Sequence, residues 1–96
     1  PSGGIHREPI PRLDQVAFLE AGGVILHYAP GLASSQLVKL QTLAGPKVAV
    51  APNPSLGPKY PVVATAWTWR LRCQLVDSKT LDRFVVRRVS TGGLNH

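Results

Sequence analysis

A chain of 96 residues, 44% hydrophobic and 17% charged, has material for one hydrophobic core and not for two, and its balance is that of a folded domain rather than a disordered one. Eleven Lys and Arg against five Asp and Glu give a net charge of +6, which favours acidic partners: a protein surface, an anionic membrane or nucleic acid. The single Cys73 excludes an internal disulfide and every multi-cysteine metal pattern, and no apolar run reaches the length of about 18 residues that a spanning helix needs.

In chain order, residues 1–15 read as an extended arm, because Pro1, Pro9 and Pro11 among glycines and charges disfavour both ladder and helix hydrogen bonding. The absence of methionine suggests a processed chain from which a leader, anchor or larger precursor has been removed. Residues 16–89 read as one α+β domain. Val16 to Glu20 is apolar, and Gly22 and Gly23 permit a sharp turn or close backbone approach into a first strand, "GVILHYAP", stopped by Pro30. "GLASSQLVKLQTLAG" follows as a helix, with Ser34 or Ser35 as N-cap, Leu37, Leu40 and Ala44 at helical spacing, and Gly45 as its end.

"PKVAVAP" is a second short strand, so the strand–helix–strand unit predicts a parallel crossover. Pro52, Pro54, Gly57, Pro58 and Pro61 define a structured loop. "VVATAWTWRLRCQLV" has period-two character but is too long for one strand, and a hairpin turning near Trp67 to Arg70 divides it. "DSKTLDRFVVRRV" predicts an amphipathic helix capped by Asp77 or Ser78, with Leu81, Phe84, Val85 and Arg88 along one side, and residues 90–96 form a tail. The expected fold is thus a two-layer sandwich of about four mixed strands and two helices in the order β-α-β-β-β-α, helices on one face, behind an extended N-terminal arm. This order resembles half of a thioredoxin-like fold, but without a CxxC pair it implies no redox chemistry.

"LEAGGVILHYAPGL", the Pro52-x-Pro54-x-Leu56 pattern, and "TAW" at Thr65 to Trp67 followed by "RLRCQL" resemble the bacterial domain-of-unknown-function family DUF3105 over most of the chain. The resemblance implies a proline-serine-glycine-histidine segment, a histidine-rich H-x-L-E-H-G segment before the first strand, a "TAWG" pattern, and a setting behind a membrane anchor or export signal. It brings no established activity. Its histidines and glutamate suggest a metal or proton-handling cluster, since imidazole and carboxylate ligate divalent metals. In this chain His6 and Glu20 match that pattern, whereas Ala17 and Ala21 stand where the family carries histidines and Thr68 where it carries glycine. One histidine and one glutamate cannot fill a closed tetrahedral site, so Glu20 reads as the survivor of a dismantled cluster, held structurally by loop amides or an arginine.

His27 in mid-strand reads as a packed or hydrogen-bonded residue rather than a ligand, and Cys73 as a small core residue rather than a nucleophile. No G-x-S-x-G elbow, P-loop lysine spacing or G-x-G-x-x-G signature is present. Along an unbroken strand, alternation sends Trp67 and Trp69 to one face as core aromatics and Arg70 and Arg72 to the other as an exposed basic row.

The expected function is that of a non-catalytic binding or structural module, without cofactor or metal. It would be an accessory subunit docked on a larger membrane-associated complex, outside the cytoplasm or in an organelle, through its extended termini and a basic face of Arg70, Arg72, Arg83, Arg87 and Arg88. Glu20, Gly22, Gly23, Trp67, Pro52 and Pro54 would be structural. The alternatives are a metal protein or enzyme using His6 and Glu20, with or without His27, and nucleic-acid binding through Trp69 and the C-terminal arginines.

Overall fold

The computed structural model describes residues 3–92. Two runs dense in β-branched and apolar residues, β2 (Val24–Tyr28) and β3 (Val48–Pro52), lie side by side in parallel, with Val24 opposite Val48 and Tyr28 opposite Pro52. The crossover between them carries α2 (Ser34–Gln41), as the strand–helix–strand pattern predicts. On the other flank of β2 runs β4 (Val62–Ala66), antiparallel, which turns through Trp67 and Thr68 into β5 (Trp69–Cys73). The closing helix, α3 (Ser78–Gly92), follows.

The mixed α+β architecture stands, with one strand and one helix more than the pattern suggested. Within the segment read as an extended arm, β1 (Gly4–Ile5) pairs in parallel with β3, giving a five-stranded sheet of order β1-β3-β2-β4-β5. α1 (Arg12–Glu20) begins directly after Pro11, whose backbone (φ −55°, ψ 145°) is extended and whose carbonyl accepts the Gln15 amide at 2.9 Å. Proline blocks a helix interior, not the position before a helix starts, so the proline cluster hid a helix that begins at its edge.

α1 also adds a third layer. Strand alternation divides the sheet's side chains between two cores. On one face Val24, Leu26, Val48, Val50, Val62, Ala64 and Ala66 are buried together with Leu40 of α2 and Leu81 of α3. On the opposite face Ile25, Ala49 and Ala51 are buried under Phe18 of α1 and Ile10. The entry into β2 depends on two glycines. Gly22 has φ +93°, open to glycine at little cost, and a Cβ on Gly23 would clash with the edge of the Phe18 ring.

The helix ends follow local chemistry. α3 starts as expected at Asp77, whose carboxylate accepts the Thr80 amide at 3.2 Å and the Thr80 hydroxyl at 3.0 Å. These bonds hold its carboxyl below the usual range. α2 differs, since its N-cap is Ala33 without a side-chain cap, and Ser34 is already helical. It also ends at Gln41, with Thr42 as C-cap, rather than running to Gly45.

Trp67 and Trp69 are not core residues. Trp67 occupies the hairpin turn at 45% exposure and Trp69 lies on the edge strand at 54%. The alternation argument assumed an unbroken strand, whereas the turn comes at Trp67 itself; Trp69 does fall on the face of Ala64 and Ala66, but on the edge strand, where it is not covered. Leu81, fully buried, is the better stability probe. In urea denaturation, Leu81→Ala is expected to cost about 3 kcal/mol and Trp67→Ala only about 1 kcal/mol, as its ring removes less surface from water.

Thr68 has φ +68°, a left-handed conformation that costs a β-branched residue roughly 1–2 kcal/mol. The resemblance places glycine at this position. Thr68→Gly is therefore expected to raise stability by about 1 kcal/mol, read as a higher denaturation midpoint at unchanged slope.

Candidate functional site

α1 lies over the β1-β3-β2 side of its face and leaves the β4–β5 side without a helix. The result is a cleft of about 430 Å³. Its floor is His27, Val63 and Thr65, adjacent on β2 and β4, with His27 opposite Val63. Arg70 and Arg72 of β5 stand beside the floor, opposite Thr65 and Val63 respectively. Gln15 of α1 forms one wall, held by a 2.8 Å bond from its Nε2 to the Ile10 carbonyl. The loop after β3 forms the other with Asn53, Ser55, Lys59 and Tyr60. That loop is shaped at its start by Asn53, whose Oδ1 accepts the Ser55 amide at 3.0 Å and the Ser55 hydroxyl at 2.6 Å. Among the described residues, no aspartate or glutamate lines the cleft.

His27 is the buried polar side chain of the sheet, 5% exposed. Its Nε2 lies 3.2 Å from the Thr65 hydroxyl, which itself lies 3.5 Å from the Ile25 carbonyl. With the hydroxyl donating to that carbonyl, Nε2 carries the proton and donates to the hydroxyl. Burial, and secondarily the positive charge of Arg70, lower the His27 pKa from 6.5 to about 4. The ring is therefore neutral at pH 7.

A second surface lies at the β4–β5 hairpin end of the sheet, with Trp69 on the face opposite the cleft. Trp67, Thr68 and Trp69 form a hairpin tip beside Leu19, Gly22 and Gly23, and Arg88 of α3 completes a small pocket there of about 180 Å³. The Arg88 guanidinium carbon lies 3.7 Å from the Trp69 ring centre, a close cation–π stack. Its Nε is buried and has no hydrogen-bond acceptor among the described residues. Arg83 and Arg87 continue this surface along α3 beside Leu71 and Phe84.

The arginines expected to form one basic face are thus divided by the sheet. Arg70 and Arg72 belong to the cleft, and Arg83, Arg87 and Arg88 to the aromatic surface. Their clustering in sequence misled because β5 and α3 lie on different layers. His6 and Glu20 stand toward opposite ends of β3. The His6 amide bonds the Val50 carbonyl at 2.8 Å, while Glu20 ends α1 beside Ala21, whose carbonyl accepts Lys47 Nζ at 3.1 Å. Among the described residues no three His, Cys, Asp or Glu side chains are grouped to hold a metal ion.

Ala17, Glu20 and Ala21 share one exposed side of the α1 C-terminus at i, i+3 and i+4 spacing. Cys73 is half-buried against the larger core, and burial, with Asp77 nearby, raises its thiol pKa, so thiolate is disfavoured. Pro52 closes β3 opposite Tyr28, and Pro54 lies in the Asn53 turn. Sequence reading missed Gln15, Lys59 and Tyr60 as cleft residues. The available signal was His27 and Thr65, polar residues in strands otherwise built of small apolar ones.

Unfolding exposes His27 to water, where it titrates near its ordinary value of 6.5. Between pH 6.5 and 4 the unfolded chain takes up a proton that the folded chain refuses, so stability falls as pH drops through this window and is insensitive to this group above it. The expected loss by pH 4 is on the order of 3 kcal/mol. Chemical denaturation at a series of pH values checks it: His27→Gln should remove that part of the slope.

The profile of the family described as "Protein of unknown function (DUF3105)" matches residues 1–92. Neither a curated protein nor a solved structure shows a significant match. With a match over nearly the entire chain, the chain belongs to the DUF3105 family.

Proposed function

We propose that the domain is a non-catalytic binding module, an accessory piece that docks on an acidic surface of a larger, membrane-associated protein complex. The observation that carries this reading is the hairpin tip. Two tryptophans, 45% and 54% exposed, stand beside a stacked arginine and adjoin Arg83 and Arg87. Trp and Arg are the residue types that most often dominate protein interfaces, because each combines large contact area with a polar handle. An isolated domain gains nothing by holding two indoles in water. The buried Nε of Arg88 adds to this, since a donor without an acceptor carries a desolvation cost.

Three further considerations support the reading. The net charge of +6 favours an acidic partner and speeds encounter with it. The resemblance puts alanines at 17 and 21 in place of the family's histidines, and these positions lie on an open helix side with Glu20. A setting peripheral to a membrane, outside the cytoplasm or in an organelle, belongs to the same proposal, and no described helix is long and apolar enough to cross a bilayer. Nucleic-acid binding through the strand is less favoured, because Trp69 and the Arg70–Arg72 pair project to opposite sheet faces.

The test is purification of the tagged chain from its native source in mild detergent, with quantitative mass spectrometry. The wild type is expected to carry a partner in fixed stoichiometry, and Trp69→Ala with Arg88→Gln to lose it at least tenfold while keeping the same far-UV spectrum. Recovery as a free monomer would overturn the proposal.

A further inference from the structure

We propose that the cleft over β4 and β5 is a binding site for a small organic dianion, a phosphate monoester or a dicarboxylate carried on a flat apolar body. This site lies on the opposite face of the sheet from the aromatic docking surface and does not depend on it.

The charge pattern comes first. Arg70 and Arg72, two residues apart on one strand, project from the same face with backbones roughly 7 Å apart. Each guanidinium can grip a carboxylate or phosphate through two parallel N–H donors. Lys59 adds a third cation from the loop wall, and no carboxylate among the lining residues competes for them. A cluster of cations without internal counter-charge repels itself, and a bound dianion would relieve that repulsion.

The shape comes second. A volume of about 430 Å³ lies in the range of small-molecule sites, and the cleft is walled by α1 at one side and the loop carrying Lys59 and Tyr60 at the other. Val63, Leu56 and the Tyr60 ring supply apolar surface for a flat body.

The floor is the third element. Edge-strand arginines alone are a common guard against aggregation, but that role needs no buried imidazole. Here the floor holds His27 and Thr65, hydrogen-bonded to each other at 3.2 Å. Burying the imidazole where an apolar side chain would pack is a cost, and a ligand that uses it gives a reason for it. The neutral ring sits beside the Arg70 charge that helps keep it unprotonated; an anion between them would offset that charge.

The test is an NMR titration of the intact domain at constant ionic strength, following backbone amides and the His27 ring, with four probes: phenyl phosphate, phthalate, benzoate and inorganic phosphate. Saturable binding of phenyl phosphate or phthalate is expected, at least tenfold tighter than benzoate or inorganic phosphate, with the largest shifts at His27, Val63 and Thr65. The better of the two dianions decides between a phosphate ester and a dicarboxylate. Arg70→Gln and Arg72→Gln should each weaken binding roughly tenfold, as loss of one charge-assisted contact does, whereas Arg83→Gln should leave it unchanged. The His27 titration midpoint should rise when the probe is bound. Trp69→Ala should also leave affinity unchanged, so failure of the docking proposal and failure of this one are separable. Equal weakening by Arg83→Gln, non-saturating shifts, shifts spread over α3, or tighter binding of polyglutamate than of either small dianion would each overturn the proposal.

Discussion

Strand β2 is the constraint on which the rest depends. It is hydrogen-bonded on both flanks, to β3 in parallel and to β4 antiparallel, and Val24 through His27 are all buried. Alternation then commits Val24 and Leu26 to one core and Ile25 and His27 to the other. A slip of one residue would place the imidazole in the larger apolar core and reverse both faces. A helix is about 10 Å across and strands are spaced by about 4.8 Å, so five strands need about two helices per face. The face of Val24 and Leu26 has α2 and α3. Among the described residues the face of Ile25 has α1 alone, and the cleft lies over the part of that face which α1 leaves open.

How far the sequence carried the fold follows from the kind of signal involved. The β2–α2–β3 crossover and the amphipathic α3 were readable because their apolar spacing is strong and their ends carry ordinary stop signals, Pro30 before α2 and Asp77 at the start of α3. β1 was not readable: two residues, Gly4 and Ile5, carry no periodicity, and their pairing exists only because β3 offers a free edge. α1 was obscured by Pro9 and Pro11 and by its weak apolar pattern, in which Leu13 is exposed and Phe18 alone is buried.

The site was less readable than the fold. Arg70, Arg72 and His27 could be picked out as residues, but their meeting with Lys59, Tyr60 and Gln15 depends on which half of a sheet face a nine-residue helix leaves open. No local pattern records that. The arginine cluster in the last third of the chain looked like one surface and is two, because β5 carries its arginines on the side of the sheet opposite to the one that α3 packs against. The two tryptophans were placed in the core by a rule that fails at the turn for Trp67 and that, for Trp69, gives the correct face but not burial, because the residue stands on the edge strand.

β5 has one further consequence. It is the outermost strand of the sheet, five residues long, with β4 on one flank only. Such a border invites another chain to extend the sheet. A second copy pairing antiparallel there would set its own Arg70 and Arg72 against the first copy's, and like charges facing across a ladder are destabilising. A strand rich in aspartate or glutamate would meet no such repulsion. Among the described residues, the charge along this border therefore works against pairing with a second copy in that register.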